Sequence, residues 1–579
     1  MTAPPAPDAV SWIVVGTAPG GGIALVELDA DGGEIDRTHT AKRELSGLVA
    51  AAPRAVRWVW SDASYWYPAL IAAGVRVARC HDLRLCHAIL RDSVQVSGAG
   101  SLRAATAWDA PPTVLVDAAL AGPVALFDMD AGERPDSLPH DIDAALEEFR
   151  RQRAAVASGP PALRLLLAAE SAGAVIAQEM HAAGVPWDAA VHDGILEAML
   201  GPRPTGRGLP LRVQERAAEV RALLDDPAAS LDSQPKLLRA LHRVGVLAAS
   251  TSKWELAQYE HPVIAPLLAY KKLTRMLSAN GWAWREEWAP EGRFRPVYVP
   301  GGVVTGRWAS SGGGALQMPR QLRPAVRADP GWVLVVADVA QLEPRVLAAM
   351  AGDTALADSA RGVDLYEGIV ARGVVATRQE AKIAMLGAMY GATTGDSGRL
   401  VPALRRAYPR AMALVDAAAR TGEDGGVVST ALGRSSPPPS EGWHALQARA
   451  GDPDATEVDR GRAQRAARDR GRFTRNFVVQ GTAAEWALAW LADIRTRLAE
   501  IPDVPEAAAA PRSGALQSRR AHLAFFLHDE VIVHAPADRA DAAAAAVEAA
   551  AATATRLLFG GFPLDFRLDL QIRADAAKD

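Results

Sequence analysis

The sequence contains very little cysteine and no long apolar run. Of its 579 residues only Cys80 and Cys86 are cysteines, which excludes a disulfide framework and a four-cysteine zinc site. We interpret both as reduced structural thiols of a cytosolic protein. No uninterrupted apolar run reaches about 18 residues, and the N-terminal segment lacks the basic start and apolar core of a signal peptide. The sequence therefore predicts a cytoplasmic protein without a membrane span.

An excess of charge of either sign is also absent. The formal net charge is -4, from 63 basic and 67 acidic residues, so the total gives no indication of a polyanionic partner. Any basic surface that binds nucleic acid must therefore be local. About half of the residues are apolar, which is ordinary for a globular protein, and this length favours several domains or one large enzyme with several lobes.

The pattern along the chain predicts a mixed α/β part followed by a longer part rich in helices. "SWIVV" and "IALVELD" are typical of strands joined by the glycine turn "APGGG", and further strands are expected at "RWVWSD" and "VRVARC". Helical patterns dominate from about residue 160 to 277 and again from 364 to 420. The alanine-rich stretch "DAAAAAVEAAAATATRLL" lies between two strand patterns, so we expect a packed helix there.

Two separate segments place carboxylates at the end of strongly apolar strands. Asp338 ends the run "VLVVAD", and Asp529 lies in "FFLHDEVIVHAP". Taken singly, Asp338 is best explained as a helix cap and Asp529 with Glu530 as a turn. Together, on neighbouring strands, the two aspartates could hold two divalent ions for phosphoryl transfer. Mg²⁺ suits such a pair, because it prefers few protein carboxylates together with phosphate and water oxygens.

Between these acids, "RQEAKIAMLGAMYG" places four residues on one helix face. Arg378, Lys382, Leu386 and Tyr390 follow one another at intervals of four. The stripe fits a solvated amphipathic helix. It fits equally well a helix that lies over a nucleotide, with the cations on the phosphates and Leu386 and Tyr390 near the base.

These segments resemble the motifs of family A (polymerase-I-type) DNA polymerases. "DVAQLEPR" is similar to the first palm motif, "RQEAKIAMLGAMYG" to the fingers motif and "HDE" to the last palm motif. "TGRWASS", "LQMP", "RFTRNFVVQGTAAE" and the thumb-like "YKKLTRML" agree with the family in order. The resemblance covers roughly residues 160–579. Six or more motifs in the right order make it specific, although each alone is only moderately so.

The resemblance implies a role for each matching residue. Asp338, Asp529 and the carbonyl of Val339 would hold two Mg²⁺ ions, for which Mn²⁺ could substitute, with Glu530 supporting them. Glu343 would exclude a ribose 2′-hydroxyl. The incoming deoxynucleotide would meet Arg378, Lys382, Leu386, Tyr390, Gln341 and Tyr366, and Lys382 would also act in catalysis. Primer-template DNA would contact Arg307, Gln317, Arg472, Asn476, Gln480 and His528, and the thumb residues Lys271, Lys272 and Arg275.

The sequence departs from the family pattern at three of these positions. Val339 stands where the family has tyrosine, Leu386 where the fingers helix has an aromatic residue, and Tyr366 where a histidine often contacts the triphosphate. Leu386 offers a weaker stacking surface to a base, whereas Tyr366 keeps a hydroxyl that can donate a hydrogen bond. Both metal-binding aspartates of the pattern remain.

The resemblance implies a right-hand polymerase, of mixed α/β and α+β class, behind a ribonuclease-H-like 3′–5′ exonuclease-type domain. We expect that domain at 1–155, thumb and start of palm at 156–300, palm at 301–355, fingers at 356–425 and palm again at 426–579. The first strand, "WIVVGT", lacks the family's exonuclease acids, and the second motif's acid falls near Trp66. Asp62, Asp82, Asp128 and Asp130 have the wrong spacing, so we expect strand-end and turn acids and a lost exonuclease.

The predicted activity is therefore primer extension with deoxynucleotides, by a monomer in the bacterial cytosol. Three alternatives remain: a polymerase with working proofreading, a relative of the single-subunit RNA polymerases, and a non-catalytic DNA-binding relic. Glu343 argues against the RNA polymerase, and Asp338, Lys382 and Asp529 argue against the relic.

Overall fold

The structure, a computed structural model, describes residues 10–111, 137–206, 208–391 and 395–578. The chain divides into two compact units. The first contains the residues up to Gly184 together with Pro296–Leu316 and Asp329–Ala574, and the second contains Val185–Arg295, Gln317–Ala328 and Asp575–Asp579.

The first unit begins with an α/β layer around a five-stranded sheet of order β3-β2-β1-β4-β5. β1 pairs antiparallel with β2 and parallel with β4. The elements in chain order are β1 (Trp12–Thr17), β2 (Ile23–Leu28), β3 (Glu34–Thr40), α1 (Leu45–Ala51), β4 (Arg57–Trp60), α2 (Ala63–Ala72), β5 (Cys80–Asp82), α3 (Leu83–Asp92), α4 (Ala99–Ala104), α5 (Ile142–Ala157) and α6 (Pro161–Ala183).

This sheet is covered on both faces, which explains the continuous apolar run of its central strand. Ile13 and Val15 belong to a core with Trp66 of α2, whereas Val14 lies in a second core with Phe149 of α5. Successive side chains of a strand point to opposite faces, so a strand buried on both faces needs apolar residues at every position.

The second unit is mainly helical. It contains β6 (Val185–Pro186), α7 (Ala189–Leu200), α8 (Leu211–Leu223), α9 (Gln234–Arg243), α10 (Lys253–Leu256), α11 (Ile264–Asn280), α12 (Trp282–Trp288) and β7 (Arg293–Phe294). β6 and β7 form a two-stranded sheet, and α11 packs against α8. The sequence predicts a thumb from residue 156, but α6 packs against α2 and belongs to the first unit.

The rest of the first unit surrounds an antiparallel four-stranded sheet of order β11-β12-β10-β13. Its elements are β8 (Val297–Val299), β9 (Ala309–Gly312), β10 (Trp332–Val339), α13 (Leu342–Ala351), α14 (Thr354–Ala360), α15 (Leu365–Ala371), α16 (Arg378–Tyr390), α17 (Gly395–Ala407), α18 (Pro409–Glu423), α19 (Glu441–Gly451), α20 (Glu457–Leu498), α21 (Gly514–Gln517), β11 (His522–Leu527), β12 (Glu530–Pro536), α22 (Ala540–Phe559) and β13 (Leu568–Arg573).

The alanine-rich helix α22 packs on this sheet, as the sequence predicts. Its small residues Ala543, Val547, Ala550 and Ala554 are buried, and the helix contacts α20, β10, β12 and β13. Among the described residues, one helical stretch, Ala537–Phe559, is long and apolar enough to cross a membrane by length and composition, with a mean hydropathy of 1.3. Because core helices meet the same criteria, this is weak evidence for a span.

One strand expectation for the N-terminal layer is wrong, and one strand was not predicted. "VRVARC" forms a strand only from Cys80, because the sheet pairs β5 with β4 over Cys80–Asp82 alone. The exposed strand β3, "EIDRTHT", has too few apolar residues for a pattern to reveal it. It exists because its backbone pairs along the edge of β2.

Of the four candidate exonuclease acids, the structure describes Asp62 and Asp82, and both make structural contacts. Asp62 caps α2 and pairs with Arg84 at 3.0 Å. Asp82 ends β5, caps α3 and also accepts from the Ala63 N–H. Burial, and then the charge of Asp62, raise the pKa of Asp82 to about 7. The expectation of strand-end and turn acids is confirmed for this pair, while Asp128 and Asp130 lie outside the described residues.

A buried ion pair joins the N-terminal layer to α20. The guanidinium of Arg495 donates to both carboxylate oxygens of Glu179, at 2.9 and 2.7 Å, and the Tyr67 hydroxyl donates to the same carboxylate at 2.6 Å. Arg495 also donates to the Val77 carbonyl oxygen at 2.6 Å. Burial raises the pKa of Glu179, but the Arg495 contacts outweigh it and hold that pKa below its ordinary value.

We predict that Arg495→Met lowers the free energy of unfolding by about 3–5 kcal/mol, because Glu179 then remains charged, buried and uncompensated. Urea unfolding followed by circular dichroism measures this loss. The double variant Arg495→Met/Glu179→Leu should recover most of it, since it leaves no buried charge behind. Equal losses in the single and double variants would contradict a dominant role for the charge.

Candidate active site

The end of β10 brings the two predicted metal-binding aspartates to neighbouring positions. Asp338 lies directly opposite Glu530 of β12 and, on its other side, opposite Asp569 of β13. The next residue, Val339, donates its N–H to the carbonyl oxygen of Asp529 at 2.8 Å. Asp338 and Asp529 are both half-buried, so their carboxylates can meet a ligand from solvent.

A very tight turn holds Asp529. Its N–H donates to the carbonyl oxygen of Leu527 at 2.7 Å, across His528, whose φ is 57°. Such a three-residue turn with a left-handed non-glycine residue is strained, and it persists only where the surrounding strands hold it. The sequence pattern predicts Glu530 in this turn, which is wrong: Glu530 is the first residue of β12 and is 2% exposed.

The turn from β10 into α13 contains the second left-handed residue of the site. Gln341 has a φ of 50°. Its amide group donates to Asp364 at 3.0 Å and accepts the N–H of Leu365 at 3.2 Å. Through these bonds Gln341 ties the first palm motif to the beginning of α15.

Arg345 fixes the same turn from inside the protein. Its fully buried guanidinium donates to four backbone carbonyl oxygens, those of Ala340, Ala360, Val363 and Asp565, at 2.9 to 3.1 Å. Burial lowers the pKa of Arg345. Arg345 is the last residue of the palm motif "DVAQLEPR". The sequence predicts no role for it, since a buried cation that binds carbonyl oxygens leaves no pattern of charges in the sequence.

A cavity of about 290 Å³ opens beside Asp529. Eight of the residues that line it are predicted site residues, namely Arg307, Gln341, Glu343, Tyr366, Leu386, Tyr390, His528 and Asp529. Asp338, Arg378 and Lys382 are not among the residues that line it. The structure thus brings the predicted sugar and base contacts around one space, and leaves the predicted phosphate contacts outside it.

Glu343 is the centre of the polar wall of this cavity. Its carboxylate accepts from the guanidinium of Arg307 and, at 2.5 Å, from the hydroxyl of Tyr390. Burial, followed by the charge of Glu343, raises the pKa of Tyr390, so this hydroxyl stays protonated and continues to donate. Partial burial and the charge of Arg307 lower the pKa of His528, which keeps its imidazole neutral near pH 7.

Helix α16 begins at a capping box, in which Thr377 and Glu380 exchange hydrogen bonds with each other's backbone. Arg378 pairs with Asp364 at 2.7 Å, and its guanidinium lies 5.5 Å from the ring centre of Tyr366. Lys382, one turn further on, is exposed.

Tyr366 shares the surroundings of this ion pair. Burial, helped by the charges of Asp364 and Glu343, raises the pKa of Tyr366 to about 12. Asp364 thus receives bonds from both Gln341 and Arg378, a role that the sequence analysis misses. Its position as the N-cap of α15 is the one signal that sequence offers.

Helix α20 supplies the predicted contacts to the duplex. Arg472, Asn476 and Gln480 follow one another at intervals of four and share one face. Gln480 hydrogen-bonds Tyr390, and Asn476 Oδ1 is buried without a hydrogen-bond partner among the described residues. Arg472 pairs with Asp469 and is exposed. An unpartnered buried acceptor one turn from Gln480 fits a surface that receives a further ligand.

The loop that carries Arg307 is held by a close backbone approach. Gly306 has a φ of 86°, and a Cβ there would lie 2.6 Å from the guanidinium of Arg434. Arg434 in turn forms a buried ion pair with Glu170. Position 306 therefore requires glycine for two reasons: the backbone is in the left-handed region, and a side chain there would collide with Arg434.

The remaining predicted DNA contacts, Gln317 and the cations of α11, belong to the second unit. Lys272 and Arg275 are exposed. Lys271 is half-buried and donates to the carbonyl oxygen of Thr251, and burial lowers its pKa. Lys271 therefore has a hydrogen-bond partner within the second unit, whereas the side chains of Lys272 and Arg275 are exposed and could contact a polyanion.

The family model for DNA polymerase family A matches residues 231–575, more than half of the chain. The chain belongs to DNA polymerase family A. DNA polymerase I of Chloroflexus aurantiacus is 29% identical over 317 residues, 50% of this chain and 30% of the relative. The thermostable DNA polymerase I of Thermus thermophilus is 28% identical over 357 residues, 57% of this chain and 38% of the relative. The chain thus spans about a third of the length of these two relatives.

A solved structure shows the same fold. The POL domain of Pol1 from M. smegmatis, in complex with DNA primer-template and dNTP, matches with a TM-score of 0.67 at 16% identity, over 99% of this chain and 97% of that chain. The predicted palm, fingers and thumb fold is confirmed.

The residues at the end of β10 fit a divalent metal of the Mg²⁺ type. In the described part of the chain, no group of three or more histidine, cysteine, aspartate or glutamate side chains could hold a metal ion. Asp338 and Asp529 alone would leave most ligand positions to substrate oxygens and water. Mg²⁺ tolerates this arrangement, whereas structural Zn²⁺ does not.

We predict that Arg345→Met lowers the free energy of unfolding by about 3 kcal/mol, because four buried carbonyl oxygens lose a charged donor. Thermal and urea unfolding measure the change. The matched control is Arg361→Met, since Arg361 is exposed and, among the described residues, forms an ion pair with Asp358 alone. It should change stability by less than about 0.5 kcal/mol. Similar losses in both variants would refute the role of Arg345.

Proposed function

We propose that the protein is a DNA polymerase that adds deoxynucleotides to a primer 3′ end on a template strand. The observation that carries the proposal is the placement of Asp338 and Asp529 side by side at the end of β10, next to a cavity lined by Glu343 and Tyr390. Membership of family A supports it, and so does the M. smegmatis relative, which was solved with primer-template and dNTP.

Asp338 and Asp529, with the Val339 carbonyl, would hold Mg²⁺. Two such ions would activate the primer oxygen and stabilise the pyrophosphate oxygens. The buried carboxylate of Glu530, opposite Asp338, would orient this pair. Arg378 would exchange its contact with Asp364 for phosphate oxygens of the nucleotide, and Lys382 would approach the same phosphates from the exposed face of α16.

The nucleotide sugar would lie against Glu343. Because Arg307 and Tyr390 hold this carboxylate in place, a ribose 2′-hydroxyl would meet a side chain that cannot easily move away. The site would therefore discriminate against ribonucleotides, as a DNA polymerase does and an RNA polymerase does not.

Primer extension with rNTPs alone should be at least about a hundredfold slower than with dNTPs, a difference of about 2.7 kcal/mol in activation free energy.

We predict that Asp338→Asn and Asp529→Asn each reduce primer extension by at least about a thousandfold, because each removes a charged metal ligand. Gel-resolved extension of a labelled primer with Mg²⁺ and four dNTPs measures the rate. The matched control is Asp569→Asn, which removes an exposed charge in the strand next to Asp338 and should keep the rate within about threefold. Extension by a clean preparation of either ligand variant at the control rate would refute the proposal.

We further propose that the N-terminal layer has lost 3′–5′ exonuclease activity and serves as a scaffold. Asp62 and Asp82 are committed to helix caps, an Arg84 ion pair and backbone N–H groups. The buried contacts of Arg495 with Glu179 suit a supporting role for this layer. A labelled single strand with a mismatched 3′ end should stay intact with Mg²⁺ and without dNTPs. Metal-dependent shortening that Asp82→Asn removes would show that proofreading survives.

A further inference from the structure

The buried ion pair between Arg434 and Glu170 has no task in the reaction proposed above. Both side chains are buried, and neither is among the residues that line the cavity. Burial raises the pKa of Glu170, and the charge of Arg434 opposes this rise. A buried ion pair contributes little net stability compared with apolar residues of similar volume. The contacts of Arg434 therefore indicate what the pair does.

The guanidinium of Arg434 rests against the backbone of the turn that carries Arg307. A Cβ on Gly306 would lie 2.6 Å from Nε, 2.8 Å from Cζ and 2.9 Å from Nη2 of Arg434. The Gly306 N–H donates to the Val303 carbonyl oxygen at 2.8 Å, and the Val303 N–H donates to the Arg307 carbonyl oxygen at 3.1 Å. Residues 303–307 thus form a closed turn, and Arg434 packs on it at Gly306.

Arg434 is itself held by its backbone. The Arg434 N–H donates to the Thr430 hydroxyl at 2.9 Å, and the Thr430 N–H donates to the Arg434 carbonyl oxygen at 2.9 Å. The buried carboxylate of Glu485 in α20 accepts from the Thr430 hydroxyl and, at 2.8 Å, from the Leu432 N–H. Because the backbone and the guanidinium of Arg434 both have buried partners, its position is determined from two sides.

Helix α20 contacts both of these turns at Gly481. A Cβ on Gly481 would lie 2.4 Å from Cγ2 of Thr430 and 3.2 Å from the carbonyl oxygen of Thr305. The two turns therefore pack directly on the helix backbone, where only glycine leaves enough space. The backbone before Arg307 thus contacts α20 at Thr305 and Arg434 at Gly306.

We propose that Arg434 is a positioning residue, which holds the Gly306 backbone so that Arg307 keeps Glu343 in the orientation that excludes a ribonucleotide. Arg307 is one of the two donors to this carboxylate, the other being the Tyr390 hydroxyl. Without Arg434 the turn can shift, Arg307 can withdraw and the carboxylate can rotate to admit a 2′-hydroxyl. The inference rests on the proposed function and deepens it, since sugar discrimination then depends on an ion pair outside the cavity.

The experiment measures kcat/KM for primer extension with a deoxynucleotide and with the matching ribonucleotide, and the ratio of these values is the discrimination. The variant is Arg434→Ala/Glu170→Ala, which removes both charges and leaves neither uncompensated. Its discrimination should fall by at least about tenfold, about 1.4 kcal/mol in activation free energy, because kcat/KM for the ribonucleotide rises. A merely structural defect would lower both values together and leave the ratio unchanged.

The matched control is Arg495→Ala/Glu179→Ala. This second buried ion pair also joins α6 to α20, and Arg495 bonds Tyr67 and the Val77 carbonyl oxygen instead of the Gly306 turn. The control should lose stability in urea unfolding as the test variant does, but its discrimination should stay within about twofold of the native value. If the test variant does not fold by circular dichroism, Arg434→Met/Glu170→Leu keeps more buried volume and should show the same fall in discrimination.

A Glu343→Ala background tests whether Arg434 acts through this carboxylate. Glu343→Ala should itself reduce discrimination at least as far, and adding Arg434→Ala/Glu170→Ala should change it by less than about twofold, because the positioned group is gone. Native discrimination in the Arg434 variants, or an additive further loss in the Glu343→Ala background, would overturn the inference. If the native protein does not extend a primer, or uses ribonucleotides equally well, the proposed function itself fails, so the two failures are distinguishable.

Discussion

The register of β10 against β12 is the constraint on which the candidate active site depends. It sets Asp338 opposite Glu530 and allows the Val339 N–H to reach the Asp529 carbonyl oxygen. A shift by one residue would turn every side chain of β10 to the other face and move Asp338 away from Asp529. The buried apolar residues of both strands and the packing of α22 on the sheet hold this register, so the core of the protein determines where the acids meet.

Helix α20 connects this sheet to the rest of the first unit. Near its end Arg495 forms the buried ion pair with Glu179, and in its middle Gln480 bonds the Tyr390 that supports Glu343. A single helix of 42 residues fixes the distances between these groups, since its rise per residue is constant. The N-terminal layer, through Glu179, therefore supports the same helix that contacts the cavity.

Sequence motifs singled out residues that the structure brings together. Asp338 and Asp529 lie side by side at the end of β10, and the Tyr390 hydroxyl donates to Glu343. The motifs could not place Glu530 in β12, since nothing in "HDE" shows where the turn ends and the strand begins. Nor could they reveal that Lys271 donates to the Thr251 carbonyl oxygen. The edge strand β3 was missed because backbone pairing, and not apolar side chains, forms it.

The sequence by itself determined the family, the succession of elements and the identity of the acids, because local periodicity and motif order are properties of the chain. Only the tertiary structure decided which groups share a space. Arg307 meets Glu343 across 36 residues of sequence, and Arg345 finds four carbonyl oxygens from separate segments. Such contacts depend on packing between distant segments, so no local pattern of residues encodes them.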